Sequence, residues 1–204
     1  MRTVSWELVT GPVQEPVTLL EVKQHAHITH DRDDATLQRF IRTAREAAES
    51  YMNRGLFTQT WKLSLHTFAD VIPLPRAAPL QSVAVQYTDV NGTLQTLATT
   101  VYSVNTASRP GSIALAANQA WPALSSSLFV PKVFITYVIG WTTLALIPER
   151  IKQGIRMYVT YLDADRPGMD VDGEKARYAA ECCWDDVVYW LEPVAWCDMV
   201  NGHA

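Results

Sequence analysis

The 204-residue sequence is poor in charged residues and in cysteine. Asp, Glu, Lys and Arg make up 19% of the chain, where a soluble domain usually carries about a quarter. This deficit indicates that part of the surface is buried against other chains. The three cysteines, Cys182, Cys183 and Cys197, are an odd number without CxxC spacing. They favour a reduced intracellular setting over a disulfide scaffold.

Long apolar stretches are also missing. The sequence has no run of about 18 apolar residues and no long apolar segment near its N-terminus. We therefore expect neither a membrane span nor a secretory signal. The net charge of -4 argues against strong binding to nucleic acid or to an anionic membrane surface.

Charge is distributed unevenly along the chain. Residues 1–54 contain eight acidic and seven basic residues, 55–147 contain two and four, and 148–204 contain eleven and six. The nearly uncharged middle is rich in Thr, Val, Leu, Pro and Gly, which is a β composition, whereas helical periodicity occurs on both sides. The sequence therefore predicts the order helix, sheet, helix.

We predict an α+β fold in which an N-terminal helix pair and C-terminal helices form a helical bundle, with a small antiparallel β-sheet or barrel inserted into it. The predicted parts are an N-terminal helical part (1–56), the β part (57–147), a helix that completes the bundle (148–166) and a C-terminal docking extension (167–204).

Helix signals are clearest in the first part. Thr18 and Glu21 have the spacing of a capping box, which predicts a helix from Leu19. A second helix follows over residues 35–53, with Gly55 predicted to end it and with Arg45 and Glu49 on its polar side. A third begins near Pro148 and is expected to pack on the second. The residues predicted to pack within this bundle or between subunits are Leu37, Phe40, Ile41, Ala44, Tyr51, Ile151, Ile155 and Tyr158.

The middle part shows strand periodicity. Apolar and polar residues alternate from Thr58 to Leu65, and Asn91-Gly92 has the composition of a tight hairpin turn. Five or six short strands are expected in all. The others are Ser82–Asp89, Thr93–Leu97, Tyr102–Asn105, Ser112–Leu115 and Val133–Ile139.

Catalytic motifs are not found. The sequence lacks a GxSxG elbow, a Walker loop and a GxGxxG loop, because its 9 glycines are scattered singly. Histidines and aspartates between His25 and Asp34 could hold a metal, but His25 and His27 would point in different directions from a helix. We expect no enzymatic activity, no cofactor and no metal.

Aromatic residues are concentrated near the C-terminus, where Trp184, Trp190 and Trp196 lie within 13 residues. They could belong to the core of this chain. Alternatively, a helix that presents Trp184, Val187 and Leu191 could dock on a partner, because Trp is enriched among binding anchors.

Several short strings resemble the head-to-tail connector (adaptor) proteins of long-tailed bacteriophages and prophages. They include Glu15-Pro16-Val17-Thr18-Leu19, Ala44-Arg45-Glu46, Thr58-Gln59-Thr60-Trp61, Leu74-Pro75-Arg76 and Trp121-Pro122. The resemblance spans roughly residues 8–162. It departs at Ile139-Gly140-Trp141, where such proteins commonly carry Gly-Tyr-Gly.

This resemblance implies a non-enzymatic virion protein of the neck between capsid and tail, assembled in the bacterial cytoplasm. It would form a homo-oligomeric ring of twelve copies, dock on the portal, contact a stopper or tail-completion protein, and let DNA pass without sequence-specific binding. By position, the portal-docking residues would be Trp184, Val187, Leu191 and Trp196. No membrane is expected as a partner.

Two other functions remain open from the sequence. A head-completion stopper or other neck assembly module would share the β-rich middle but not the long helix pair. A metal-dependent hydrolase would require a metal at the cluster from His25 to Asp34.

Overall fold

The computed structural model describes residues 3–108, 110–127 and 129–164, without the side chains of residues 3 and 4. The described chain forms two compact units. Residues 3–13 and 53–141 make a β unit, and residues 14–52 and 142–164 make a helical unit.

The β unit contains eight strands in two antiparallel sheets. A five-stranded sheet has the order β1-β2-β8-β4-β5, and a three-stranded sheet has the order β3-β7-β6. The strands are β1 (Thr3–Thr10), β2 (Gln59–Leu65), β3 (Val71–Pro73), β4 (Leu80–Thr88), β5 (Leu94–Thr96), β6 (Tyr102–Asn105), β7 (Ser112–Leu115) and β8 (Val133–Ile139).

Alternation of side chains builds the core of this unit. Leu63, Ile135 and Val85 lie on three neighbouring strands of the larger sheet and are buried. Ile72 of β3 and Ile113 of β7 belong to the same apolar cluster. Both sheets therefore share one hydrophobic core, in which successive residues point alternately inward and outward.

The predicted hairpin turn is confirmed. Gly92 joins β4 to β5 with a φ of 82°, and the Asp89 carboxylate accepts the backbone N–H groups of Asn91 and Thr93, each at 2.9 Å. These bonds lower the pKa of Asp89, and the N–H of Thr93 makes the largest contribution.

The helical unit contains α1 (Leu19–His25), α2 (Asp34–Met52) and α3 (Glu149–Ala164), with a short 3₁₀ turn at Leu144–Leu146. The capping box is confirmed: the Glu21 N–H donates to Thr18 Oγ1, and the Thr18 N–H donates to the Glu21 carboxylate at 2.6 Å. Helix α3 packs on α2, as the sequence predicted, and α1 contacts both. No helix in the described residues combines the length and apolar character that a membrane span requires.

The prediction of a helical bundle was wrong. The described residues contain about as much strand as helix, with three helices and two antiparallel sheets, so only the general α+β character holds. The main reason is β1, which we had assigned to the helical part. Its alternation covers only eight residues, and its partner β2 lies about fifty residues later, so local periodicity gave little signal.

One helix boundary and one strand also differ from the prediction. Helix α2 ends at Met52, and Asn53, with a φ of 49°, takes the left-handed position that we had given to Gly55. Strand β3 was not foreseen, because it has only three residues and ends in a proline.

Candidate interaction site

The predicted portal-docking residues Trp184, Val187, Leu191 and Trp196 lie outside the described residues. The predicted packing residues all lie on α2 and α3. Leu37, Ile41, Ala44, Ile151 and Ile155 are buried in the helical unit. Phe40, Tyr51 and Tyr158 are only partly buried, and each therefore retains surface that another chain could contact.

A buried ionic cluster on α2 was not foreseen. We had placed Arg45 and Glu49 on the polar side of the helix, but both are buried. The Arg45 guanidinium donates to Glu15 at 2.9 Å, to Glu49 at 3.1 Å and to Glu46 at 3.2 Å. Burial by itself would lower the pKa of Arg45, but the charges of Glu49 and Glu15 raise it overall. The spacing of Arg45 and Glu49 by four residues was the one signal in the sequence.

A groove of about 400 Å³ lies in the helical unit beside this cluster. Its lining includes aliphatic side chains of Val17 and Ile41 together with the charged groups of Glu15 and Arg42. Glu15 is the only carboxylate of the lining, and it is bonded to Arg45. The lining holds no histidine, cysteine or serine, so the groove offers contact surface rather than a reactive group.

Two of the strings that carry the resemblance meet in the β unit. Trp61 of β2 stacks on Trp6 of β1 with ring centroids 4.1 Å apart, and the Arg76 guanidinium lies 5.4 Å from the Trp6 ring. Trp6 Nε1 donates to the Tyr137 hydroxyl at 2.7 Å, which in turn donates to the Pro75 carbonyl at 2.9 Å. Burial raises the pKa of Tyr137. The Thr-Gln-Thr-Trp and Leu-Pro-Arg strings therefore fix the loop after β3 onto the larger sheet.

The end of β8 requires a glycine. Gly140 has a φ of 96°, and a Cβ atom there would lie 2.0 Å from the Phe57 carbonyl oxygen. The Gly140 N–H donates to Pro79, and its carbonyl accepts from Gln81 Nε2 at 2.6 Å. Close backbone packing therefore requires a glycine at position 140, even though the string Ile139-Gly140-Trp141 departs from the Gly-Tyr-Gly common in the family.

Metal ligation receives no support from the described part of the chain, which contains no group of three or more His, Cys, Asp and Glu able to hold an ion. In the segment where we had considered a metal, Lys23 forms ion pairs with Asp31 and Asp34. These carboxylates therefore bind a lysine instead.

Exposed apolar side chains lie at two opposite corners of the five-stranded sheet. At one, Leu8 and Val9 of β1 are exposed, and Val13 just beyond the strand is 86% exposed. We call these three residues the β1 corner. The other consists of Val90, Leu94, Phe129 and Val130, of which Phe129 is 91% exposed, and we call it the β5 corner.

Residues 16–100 match the model of the phage gp6-like head-tail connector protein family. No curated protein sequence gives a match.

The fold is similar to chains in three structures of gene transfer agent (GTA) particles. One, from the neck of an empty particle computed with C6 symmetry, has a TM-score of 0.71 and 17% identity over 94% of this chain and 95% of the other. One from the virion of a native particle has a TM-score of 0.65 and 20% identity, covering 82% and 89%. One from a native neck computed with C12 symmetry has a TM-score of 0.63 and 20% identity, covering 88% and 94%.

The matched family consists of structural connectors between head and tail rather than of enzymes. The expected class of function and the expected place in the virion, at the neck, therefore agree with the match. The family match confirms the resemblance found in the sequence, which is to the phage head-tail connectors.

Proposed function

We propose that the protein forms a ring that docks on the portal and continues the DNA channel toward the tail. The match of residues 16–100 to the head-tail connector family is the observation that carries this proposal. The fold similarity to neck chains extends over most of the sequence and supports it.

The proposed ring contains twelve copies. Neck structures of similar fold were computed with C6 and C12 symmetry, both of which relate copies by rotation about one axis. A cyclic ring needs two unlike faces on each subunit. The low fraction of charged residues is the composition expected when two faces are covered.

Passage of DNA through the ring requires weak contacts with its phosphates. A channel rich in lysine and arginine would bind DNA and slow its movement, with a strong dependence on salt. This chain has a net charge of -4, and its seventeen basic residues are outnumbered by twenty-one acidic ones. Such a composition suits a conduit better than a DNA-binding ring.

Portal docking is proposed for Trp184, Val187, Leu191 and Trp196 in the C-terminal segment. Phe40, Tyr51 and Tyr158, which are partly buried on α2 and α3, are proposed to contribute the rest of their surface to contacts between subunits. A stopper or tail-completion protein would bind the opposite side of the ring.

The test is binding of the purified protein to isolated portal from the same particle, followed by native mass spectrometry and electron microscopy. Full-length protein should add to the portal as a ring. The variant Trp184→Ala with Leu191→Ala should lose at least about tenfold in affinity if these residues are anchors. Val71→Ala, which changes an exposed residue of the β unit, is the matched control.

Two outcomes would contradict the proposal. Wild-type protein that does not bind portal would refute the connector function itself. Unchanged binding by the double variant would refute only the assignment of the docking residues.

A further inference from the structure

The five-stranded sheet has two edges in the described chain, and a stretch of uncharged residues lies at each of them. In the described chain β1 pairs with β2 alone, and β5 pairs with β4 alone. Native proteins commonly guard such edges with charged residues, especially lysine. Here residues 8–14, 90–108 and 110–131 contain no charged residue at all. The uncharged segments supply both the β1 corner and the β5 corner.

The β5 corner is held together by backbone hydrogen bonds. Leu94 lies opposite Thr88 in the β4–β5 ladder. The Thr88 N–H donates to the Lys132 carbonyl at 2.8 Å, and the Thr88 carbonyl accepts from Ser125 at 3.1 Å. These two bonds place the loop that carries Phe129 and Val130 beside the same end of β4 as Leu94.

From these features we propose that the β5 corner of one copy docks on the β1 corner of the next copy. The inference rests on the proposed ring and assigns the contact that closes it. A second copy is the expected occupant, because both corners are apolar, unlike one another and on opposite edges of one sheet. A head-to-tail contact covers both at once, whereas any single foreign partner would cover one.

The register of the sheet gives this contact a definite geometry. At the β1 corner, Leu8 pairs with Trp61, which pairs in turn with Tyr137 of β8. Near the β5 corner, Tyr87 pairs with Val133 of β8. The two corners are therefore offset by the four residues that separate Val133 from Tyr137. With strands about 4.8 Å apart and about 3.4 Å per residue, the corners are separated by about 19 Å across the strands and about 14 Å along them. The line joining the corners must lie in the plane of the ring, so the strands should be inclined by at least about 35° to the ring axis.

The experiment uses full-length protein assembled on isolated portal from the same particle. One variant, Leu8→Lys, places a charge in the β1 corner, and a second, Leu94→Glu, places the opposite charge in the β5 corner. Each variant alone should form at least about tenfold fewer rings than the wild type, because every contact then buries an unmatched charge. Val71→Lys, at a site that is 57% exposed compared with 55% for Leu94, should assemble normally.

Mixing the two variants in equal amounts provides the decisive measurement. In an alternating ring, half of the contacts pair Lys with Glu and the other half are wild type, so the mixture should recover rings. Circular dichroism of each variant establishes that it is folded.

The inference would be overturned by normal assembly of either single variant, or by folded variants that do not recover on mixing. Wild-type protein that binds portal without forming a ring would refute the ring and this contact together. A wild-type ring with strands inclined by less than about 15° would refute the geometry.

Discussion

The buried ionic cluster of α2 allows a quantitative prediction. In Arg45→Ala, the Glu49 carboxylate, whose side chain is 2% exposed, loses the positive charge that lies 3.1 Å away. At an effective dielectric constant of about 20, this interaction is worth about 5 kcal/mol. Removal of one partner from buried ion pairs costs about 3–5 kcal/mol, which agrees with that figure. Glu46 is 68% exposed and adds little.

The assay is urea denaturation followed by circular dichroism at 222 nm, which reports on the helical unit. We expect Arg45→Ala to lower the free energy of unfolding by about 3–5 kcal/mol. Arg42→Ala, an exposed change on the same helix, should stay within about 0.5 kcal/mol of the wild type.

A double variant gives a second check. Arg45→Met with Glu49→Leu replaces the pair by apolar side chains, and it should be less destabilised than Arg45→Ala, because no buried charge remains at position 49. A loss of less than about 1 kcal/mol for Arg45→Ala would refute the argument that the cluster is buried and charged.

Three further changes test other features. Tyr137→Phe should lower the free energy of unfolding, monitored by tryptophan fluorescence, by about 1–3 kcal/mol, because its hydroxyl joins Trp6 to a backbone carbonyl. Tyr102→Phe loses one hydrogen bond of 3.3 Å and should lower it by less. Gly140→Ala should lower the free energy of unfolding by about 3 kcal/mol or more, because its Cβ would clash with backbone. Gly92→Ala should lower it by only about 1 kcal/mol, because Gly92 has a positive φ but open space around it. Equal losses would contradict this explanation. The Thr18 backbone N–H lowers the pKa of Glu21 below 4.5, so the stabilisation from ionised Glu21 is present above that pH and is lost as the pH falls through the lowered pKa. The stabilities of wild type and Glu21→Gln measured against pH should therefore converge in acid.

Local patterns predicted the elements whose signals lie within a few residues. The capping box at Thr18 requires only the residues of one helical turn, and the hairpin at Gly92 requires one positive φ, so both were found. Strand β8 was predicted with its observed bounds because all seven of its residues are β-branched or aromatic, which favours a strand.

Long-range contacts decided what the sequence did not reveal. Nothing near Arg45 indicates that the loop carrying Glu15 covers it, and its charge suggested an exposed side chain. The same limitation applies to the corners of the sheet, because Leu94 and Phe129 lie at one corner only through the pairing of Thr88 with Leu94 and its hydrogen bonds to Ser125 and Lys132.

The sequence by itself indicated a class of protein through its resemblance to the connector family, and the match of residues 16–100 supports it. Its low charge, its lack of catalytic motifs and its family strings indicated a structural connector, because composition and short strings can be read without knowing the fold. Tertiary structure alone decided that β1 joins the β unit, that Arg45 is buried and that the β1 corner and the β5 corner lie on opposite edges of one sheet. The physical reason is that burial and pairing depend on which distant segments meet, and side-chain periodicity describes only neighbours along the chain.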